Sequence, residues 1–190
     1  SKSETRVMEE VLTISAQSSI TDFFVVDSII NIHFIKSLLP KLAELRQTAG
    51  YDFTFFFETK SNLKRSQIRT MRDAGINSLQ PGIEAIDNEI LKLMKKGSTA
   101  ARQVQCLKLL AECEIIANWN LIFKLPLEKP QAYHNTRAAM PFLHHLPPLH
   151  GEGMIPMLLN RYAPYHNTPG LFAIENIRPL PWFDRVFAKP

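Results

Sequence analysis

Cysteine is scarce in this sequence, and its scarcity restricts the metal chemistry that the chain can support. The 190 residues include 2 cysteines, Cys106 and Cys113. They lie about two turns apart on one predicted helix, which places them on one face but too far apart for a disulfide. We interpret both as small buried apolar residues. No CxxC or CxxxCxxC cluster is present.

Other motifs with well-defined chemistry are also missing. The sequence contains no Gly-rich phosphate-binding loop and no Ser–His–Asp arrangement for nucleophilic catalysis. His144 and His145 are neighbours, so on an extended strand they would point in opposite directions and would not share a metal ion. The histidines at 134, 150 and 166 show no ligand spacing either. We therefore predict that the chain forms no metal site.

Long apolar runs and concentrated charge are absent too. No run approaches the roughly 18 apolar residues of a membrane span, and residues 1–4 do not resemble a signal peptide. We expect a cytoplasmic chain with no membrane partner. The net charge of +4 comes from scattered basic residues, and the densest cluster, Lys92, Lys95 and Lys96, suits the solvated end of a helix. Without an aromatic or second basic stripe, we predict no nucleic-acid partner.

Apolar runs alternate with amphipathic segments along most of the chain. With 45% hydrophobic and 21% charged residues, the sequence is typical of a soluble domain with its own core. We predict about five strands, at residues 22–27, 51–58, 80–84, 115–123 and about 154–159. Right-handed crossovers are the default between such strands, and a whole (β/α)₈ barrel needs roughly 200 residues or more. The fold class is therefore α/β, either an incomplete barrel of mostly parallel strands or a small sheet.

Several local signals locate the helices and the buried faces. The helix predicted at about 31–49 contains Pro40, which indicates a kink or a break. Gly75 is predicted to end the preceding helix in a left-handed conformation, and Asp87 is placed to cap the next helix. The phenylalanines at 53, 55 and 57 should lie under the helices, while Glu58 should face the barrel mouth. In the helix that follows Thr99 the inward residues should be Val104, Leu107, Leu110 and Ala111.

Residues 164–190 differ from the rest in composition. They are rich in proline and aromatic residues and show little periodicity. We predict that residues 1–163 form the partial barrel and that residues 164–190 form an irregular extension over its surface.

Five polar residues fall at or near the ends of predicted strands: Asp27, Glu58, Glu84, Asn120 and Arg161. Any one of them would serve equally well as a simple cap or ion-pair partner. Parallel strands bring their carboxyl ends to one edge, where chemistry gathers in α/β folds. Together these residues predict a functional rim.

Seven segments carry a family resemblance. They are Phe57–Leu63, Ala74–Ile76, Gln80–Glu84, Leu91–Gly97, Trp119–Asn120, His144–Pro148 and Arg161–Tyr165. They resemble the radical S-adenosylmethionine (SAM) domain of enzymes with an N-terminal cobalamin-binding domain, in particular the group that matures ribosomally made peptides. The resemblance covers nearly all of the chain.

The resemblance implies a partial (β/α)₆ barrel in which a CxxxCxxC loop holds a [4Fe–4S] cluster that cleaves SAM. Thiolates are the ligands that hold such clusters. The opening residues 1–3 resemble the segment just after that loop. We therefore expect the cluster loop, the first strand and the cobalamin domain to lie upstream, and this chain alone to hold no cofactor.

The resemblance also assigns roles to particular residues. It implies that Asp27 and Glu58 end the second and third barrel strands, and that the loop from Gln80 to Glu84 meets the amino acid or ribose of SAM. Asn120 would line the fifth strand, and Arg161 would complete the cofactor-binding set. The family's Gly-x-Pro-Gly-Glu loop here reads Lys-Leu-Pro-Leu-Glu at 124–128, and a Cβ blocks close backbone approach.

Three functional hypotheses remain open from the sequence. The first is an inactive piece of a radical SAM iron–sulfur oxidoreductase that modifies a peptide or a small molecule. The second is a degenerate scaffold that binds a peptide or a partner protein without catalysis. The third is a complete small hydrolase or epimerase, for which no nucleophile motif is found. The strand at 22–27 should be an unpaired edge, which favours a homodimer or cover by the tail.

Overall fold

A curved parallel sheet with helices packed on one face forms the centre of the protein. The computed structural model describes residues 2–26 and 29–186. The strands are β1 (Asp22–Phe24), β2 (Thr54–Glu58), β3 (Ile76–Gln80), β4 (Ile116–Ala117), β5 (Leu121–Phe123) and β6 (Met154–Pro156). The helices are α1 (Glu4–Ser18), α2 (Ile32–Lys36), α3 (Leu38–Ala49), α4 (Arg65–Asp73), α5 (Asn88–Leu93), α6 (Ala100–Glu112), α7 (Pro130–Ala139), α8 (Pro164–Asn167) and α9 (Phe183–Val186).

All strand pairs of the described chain are parallel. One sheet has the order β1-β2-β3-β4, and a second contains β5 and β6. The chain that follows β3 joins the two sheets, because the Asn118 N–H donates to the Leu79 carbonyl at 2.7 Å and the Ile122 N–H donates to the Glu84 carbonyl at 2.9 Å. The α/β class and the incomplete, mostly parallel barrel are confirmed.

All five predicted strands have different limits in the structure. The strands predicted at 22–27, 51–58 and about 154–159 are shorter and correspond to β1, β2 and β6, because only these residues pair with a neighbouring strand. The other two are shifted or divided. The strand predicted at 80–84 lies at 76–80, because Pro81 has no N–H to continue the ladder and Gly82 turns the chain with φ +57°. That turn also interrupts the strand predicted at 115–123. Its first part pairs beside Leu79 and its second part beside Glu84, so it divides into β4 and β5.

The helix-facing side of β2 lies in the hydrophobic core. Phe53, Phe55 and Phe57 are all buried, whereas Phe56 and Glu58 on the other face are half-buried, which confirms the predicted alternation. The buried leucines of α3 and Ile68 of α4 belong to the same hydrophobic cluster. Successive rings along this face contact one another in tilted geometry, with centroids 6.2 Å apart for both the Phe53–Phe55 and the Phe55–Phe57 pairs.

The structure confirms the predicted break in the 31–49 helix and the left-handed cap at Gly75, but the buried face predicted for α6 is partly wrong. The predicted 31–49 helix is broken at Ser37, and Pro40 lies in the first turn of α3, where a missing N–H removes no helical bond. Gly75 follows α4 with φ +90°. In α6, Ala111 is exposed and Gln103 is buried, because the buried face is centred nearer Cys106 than the hydrophobic pattern indicated.

The tail carries three short helical turns, α8, a 3₁₀ turn at Pro169–Phe172 and α9. The Tyr165 hydroxyl donates to the Leu93 carbonyl at the end of α5, at 3.2 Å, and the Tyr165 and Phe172 rings lie 4.4 Å apart. The tail thus packs against α5, while the domain division at residue 163 stays a prediction. Within 2–26 and 29–186, no helix combines the length and hydropathy needed to span a bilayer.

Candidate functional site

The carboxyl ends of β2 and β3 bring two of the predicted site residues together. Glu58 and Gln80 are register partners, and paired residues of a parallel sheet share a face. The Thr59 N–H donates to the Gln80 carbonyl at 2.9 Å, which extends the ladder past both strand ends. Glu58 is half-buried and Gln80 is exposed, so both side chains are available at this edge, called the rim below.

Glu84 lies on the loop after β3 and forms an ion pair with Lys96. Each side chain is 29% exposed, so the pair is partly open to solvent. The Glu84 carbonyl accepts from Ile122 in β5, which fixes the backbone at this point. The sequence predicted Glu84 but not its partner.

The turn after α5 carries Lys96 back toward the rim. The Lys96 N–H donates to the Leu91 carbonyl at 3.0 Å, and Lys95 takes a left-handed conformation with φ +53°. This is the hydrogen-bond pattern of a Schellman motif, in which a left-handed residue ends the helix. One sequence signal pointed to this partner of Glu84. Lys96 lies in the Leu91–Gly97 segment of the family resemblance, which assigns it no role.

The other predicted site residues are less closely placed. The Asn120 N–H donates to the Ile83 carbonyl at 3.4 Å, so Asn120 flanks the Glu84 loop. Arg161 lies in an exposed turn beyond β6, and no hydrogen bond or ion pair of the described chain joins it to the rest of the set. Asp27 lies outside the described residues.

A buried carboxylate, Asp87, fixes the helix that supports the rim. One of its oxygens accepts from the N–H groups of Glu89 and Ile90, at 2.9 and 3.1 Å. The other accepts from the Asn135 amide at 3.0 Å. Asp87 therefore caps α5, as predicted, and also joins α5 to α7.

The loop after β5 has glycine-like backbone at two residues that are not glycine. Lys124 has φ +61° and Leu127 has φ +65°. The Tyr133 hydroxyl donates to the Glu128 carboxylate and accepts from the Lys124 N–H at 3.2 Å. Burial, and then the bond to Glu128, raise the pKa of Tyr133. The loop is thus held in a shape that suits glycine.

A family model described as Radical SAM superfamily matches residues 5–138, which is more than half of the chain. The chain belongs to the radical SAM superfamily. No curated protein matches it.

Solved structures agree with this fold. The radical SAM methyltransferase TsrM from Kitasatospora setae, solved with cobalamin and a [4Fe-4S] cluster bound, has a TM-score of 0.65 and 21% identity over 75% of this chain and 29% of its own. The cobalamin-dependent SAM radical enzyme OxsB has a TM-score of 0.58 and 13% identity, over 90% of this chain and 25% of its own. Coproporphyrinogen III oxidase from Escherichia coli has a TM-score of 0.57 and 15% identity, over 90% of this chain and 39% of its own. The chain therefore spans well under half of these proteins.

The cysteines of this radical SAM chain do not fit a [4Fe–4S] cluster. Burial raises the pKa of Cys106 to about 12, which disfavours the thiolate that iron requires. Cys113 is half-buried at the C-cap of the same helix, and the sequence has no third cysteine.

Replacing Leu127 with glycine should stabilise the protein. A left-handed conformation costs a residue with a Cβ about 1 kcal/mol or more, and Leu127 is 60% exposed, so little packing is lost. We expect Leu127→Gly to raise the free energy of unfolding by about 0.5–1 kcal/mol in urea titration. Leu158→Gly, at a leucine of similar exposure without positive φ, is the control and should not stabilise. A loss of stability in Leu127→Gly would contradict the account of this loop.

Proposed function

We propose that this chain is the SAM-facing part of the barrel of a cobalamin-dependent radical SAM enzyme that matures a peptide or modifies a small molecule, and that alone it is inactive. The proposal is supported chiefly by the rim, where Glu58 and Gln80 share one face and Glu84 lies on the adjoining loop. The resemblance over the Gln80–Glu84 and Leu91–Gly97 segments favours the peptide-maturing group.

The polar groups of the rim suit the charged end of SAM. Its ammonium group and ribose hydroxyls are donors, and carboxylates accept such bonds most strongly. In the structure, the Glu84 carboxylate forms an ion pair with Lys96. An ion pair that is partly open to solvent contributes only about 0–1 kcal/mol, so the ammonium group of a ligand can compete with Lys96 for Glu84.

The test is SAM binding to the purified chain by isothermal titration calorimetry. We expect weak binding, and we expect Glu84→Ala to weaken it by roughly tenfold or more, because a hydrogen bond to a charged group is lost. Asp52→Ala is the matched control, since Asp52 is an exposed carboxylate just before β2, at the opposite end of the sheet. Equal affinity in the Glu84→Ala and unsubstituted proteins would refute the proposed role of the rim.

A second candidate is a scaffold that binds a peptide or another copy of the chain. The position of β1 favours it, because β1 lies at the sheet edge and pairs only with β2 among the described strands. Edge strands offer unpaired backbone groups to a further strand. This function predicts concentration-dependent dimers in analytical ultracentrifugation together with no measurable SAM binding. A monomer that binds SAM would exclude it.

A further inference from the structure

The face of the sheet that is turned away from the helices is open and has an apolar centre. The strand registers align Phe24, Phe56, Ser78 and Ile116 in one row across β1 to β4. With strands about 4.8 Å apart, the row is about 14 Å wide. Phe24 is 68% exposed and Ile116 is 63% exposed. Parallel sheets are usually covered on both faces, so this face, called the open face below, lacks its usual cover.

Two aromatic rings form a platform on the open face. Phe24 and Phe56 stack with centroids 4.4 Å apart and planes 11° apart. Aromatic rings pack favourably on such a surface in offset or edge-to-face geometry. The platform therefore offers a further aromatic ring a favourable contact.

The charges beside the platform have one sign. Asp22 and Glu58 lie on the same face, at opposite ends of the sheet, and the remaining strand residues of the face are neutral. Asp22 accepts from the Thr54 hydroxyl, which leaves its charge unneutralised. Charge complementarity therefore favours a neutral or cationic ligand and disfavours an anionic one.

Two other occupants fit less well. A second copy of the open face would bring its own carboxylates against Asp22 and Glu58, because a two-fold interface pairs the same patch with itself. The tail of this chain packs elsewhere, with Tyr165 bonded to Leu93 and Lys95 placed over the Phe172 ring at 5.9 Å.

We infer that the open face binds the aromatic ring of a substrate that carries no negative charge next to the ring. The inference rests on the proposed function, since the face ends at the rim formed by Glu58 and Gln80. It adds the substrate class: an aromatic group, as in an aromatic residue of a peptide, with neutral or cationic flanks.

Three tryptophan derivatives test this inference by amide chemical-shift titration of the full chain. L-Tryptophanamide is cationic, N-acetyl-L-tryptophanamide is neutral and N-acetyl-L-tryptophan is anionic. We expect the cationic and neutral probes to bind with Kd on the order of 1 mM, and the anionic probe to bind at least roughly threefold more weakly. Shifts should centre on Phe24, Phe56 and Ile116.

Variants then locate the site. Phe24→Ala should weaken binding of the neutral probe roughly threefold to tenfold, and Ile116→Thr gives a second variant that keeps a β-branched residue. Phe142→Ala is the matched control, because Phe142 is 76% exposed and lies after α7, off the sheet. It should bind the probe like the unsubstituted protein.

Several outcomes would overturn the inference. These are no saturable shifts with any probe, tighter binding of the anionic probe, or unchanged binding in both Phe24→Ala and Ile116→Thr. Dimerisation that Phe24→Ala abolishes would show that a second copy occupies the face. Probe binding without SAM binding would refute only the proposed function, and SAM binding without probe binding would refute only this inference.

Discussion

Replacing Gly75 with alanine is expected to destabilise the protein by about 4 kcal/mol or more, a loss that few single substitutions cause. Gly75 has φ +90°, and an added Cβ would overlap the carbonyl oxygen of Phe53 and lie 3.1 Å from Arg46 Cδ. The Gly75 carbonyl also accepts from the Phe55 N–H at 2.9 Å. Since this bond ties β3 to β2, the backbone has little room to move away from the overlap.

Gly50 provides the control for this prediction. It also has a left-handed conformation, with φ +70°, but nothing lies within 4 Å of its added Cβ. Gly50→Ala should therefore show the conformational cost alone, about 1–2 kcal/mol. Urea titration of both variants separates the steric part from the conformational part. Equal losses in the two variants would show that the packing around Gly75 is wrongly described.

Removing the Asp87 carboxylate is expected to cost about 2–3 kcal/mol of unfolding free energy. The loss combines a helix cap, about 1 kcal/mol, with a charge-assisted bond to Asn135, about 1.5 kcal/mol or more. Asp87 is 6% exposed, so water does not readily replace these bonds. Because α5 connects Glu84 to Lys96, Asp87→Ala should also weaken the ion pair between these two residues.

Asp87→Asn distinguishes the two contributions. Asparagine caps a helix about as well as aspartate, but its amide donor would face the donor of Asn135, which now supplies the bond. We expect Asp87→Asn to lower the free energy of unfolding by about 1.5 kcal/mol, the part assigned to the Asn135 bond, which lies between the unsubstituted protein and Asp87→Ala. Asn135→Ala should lower the free energy of unfolding by about as much as Asp87→Asn does. An Asp87→Ala protein of unchanged stability in urea would contradict the assigned role.

The fold was predictable where local pattern and tertiary packing agree. The alternation of phenylalanines from Phe53 to Phe57 predicted the buried face of β2, and Asp87 predicted the start of α5. Both signals are contained within a few residues. The α/β order then followed from the spacing of strands and helices.

The predicted strand limits were wrong where a neighbouring segment determines which residues can pair. Residues 115–123 have the composition of one strand, but their partner turns at Pro81 and Gly82, so the ladder breaks between β4 and β5. The burial of Gln103 was likewise missed, because a hydrophobic pattern does not reveal a buried polar side chain. Both errors arise from contacts that are distant in sequence.

The site was predictable in part. Strand ends indicated Glu58, and the resemblance added Gln80, which the register places beside it. The partner of Glu84 was not predictable, because Lys96 reaches it only through the left-handed turn at Lys95. Charge on a helix end was interpreted as a solvated surface, whereas one lysine of that cluster contacts the rim.

Anaerobic reconstitution with iron and sulfide tests the central claim most directly, namely that this radical SAM chain does not carry the thiolates for a [4Fe–4S] cluster. The sequence has 2 cysteines, of which Cys106 is buried in α6 and Cys113 is its C-cap, so three thiolates cannot meet one cluster. We predict that the desalted chain stays colourless and that added reductant produces no cleavage of SAM. A stable iron–sulfur charge-transfer absorbance together with reductive cleavage of SAM would contradict the account.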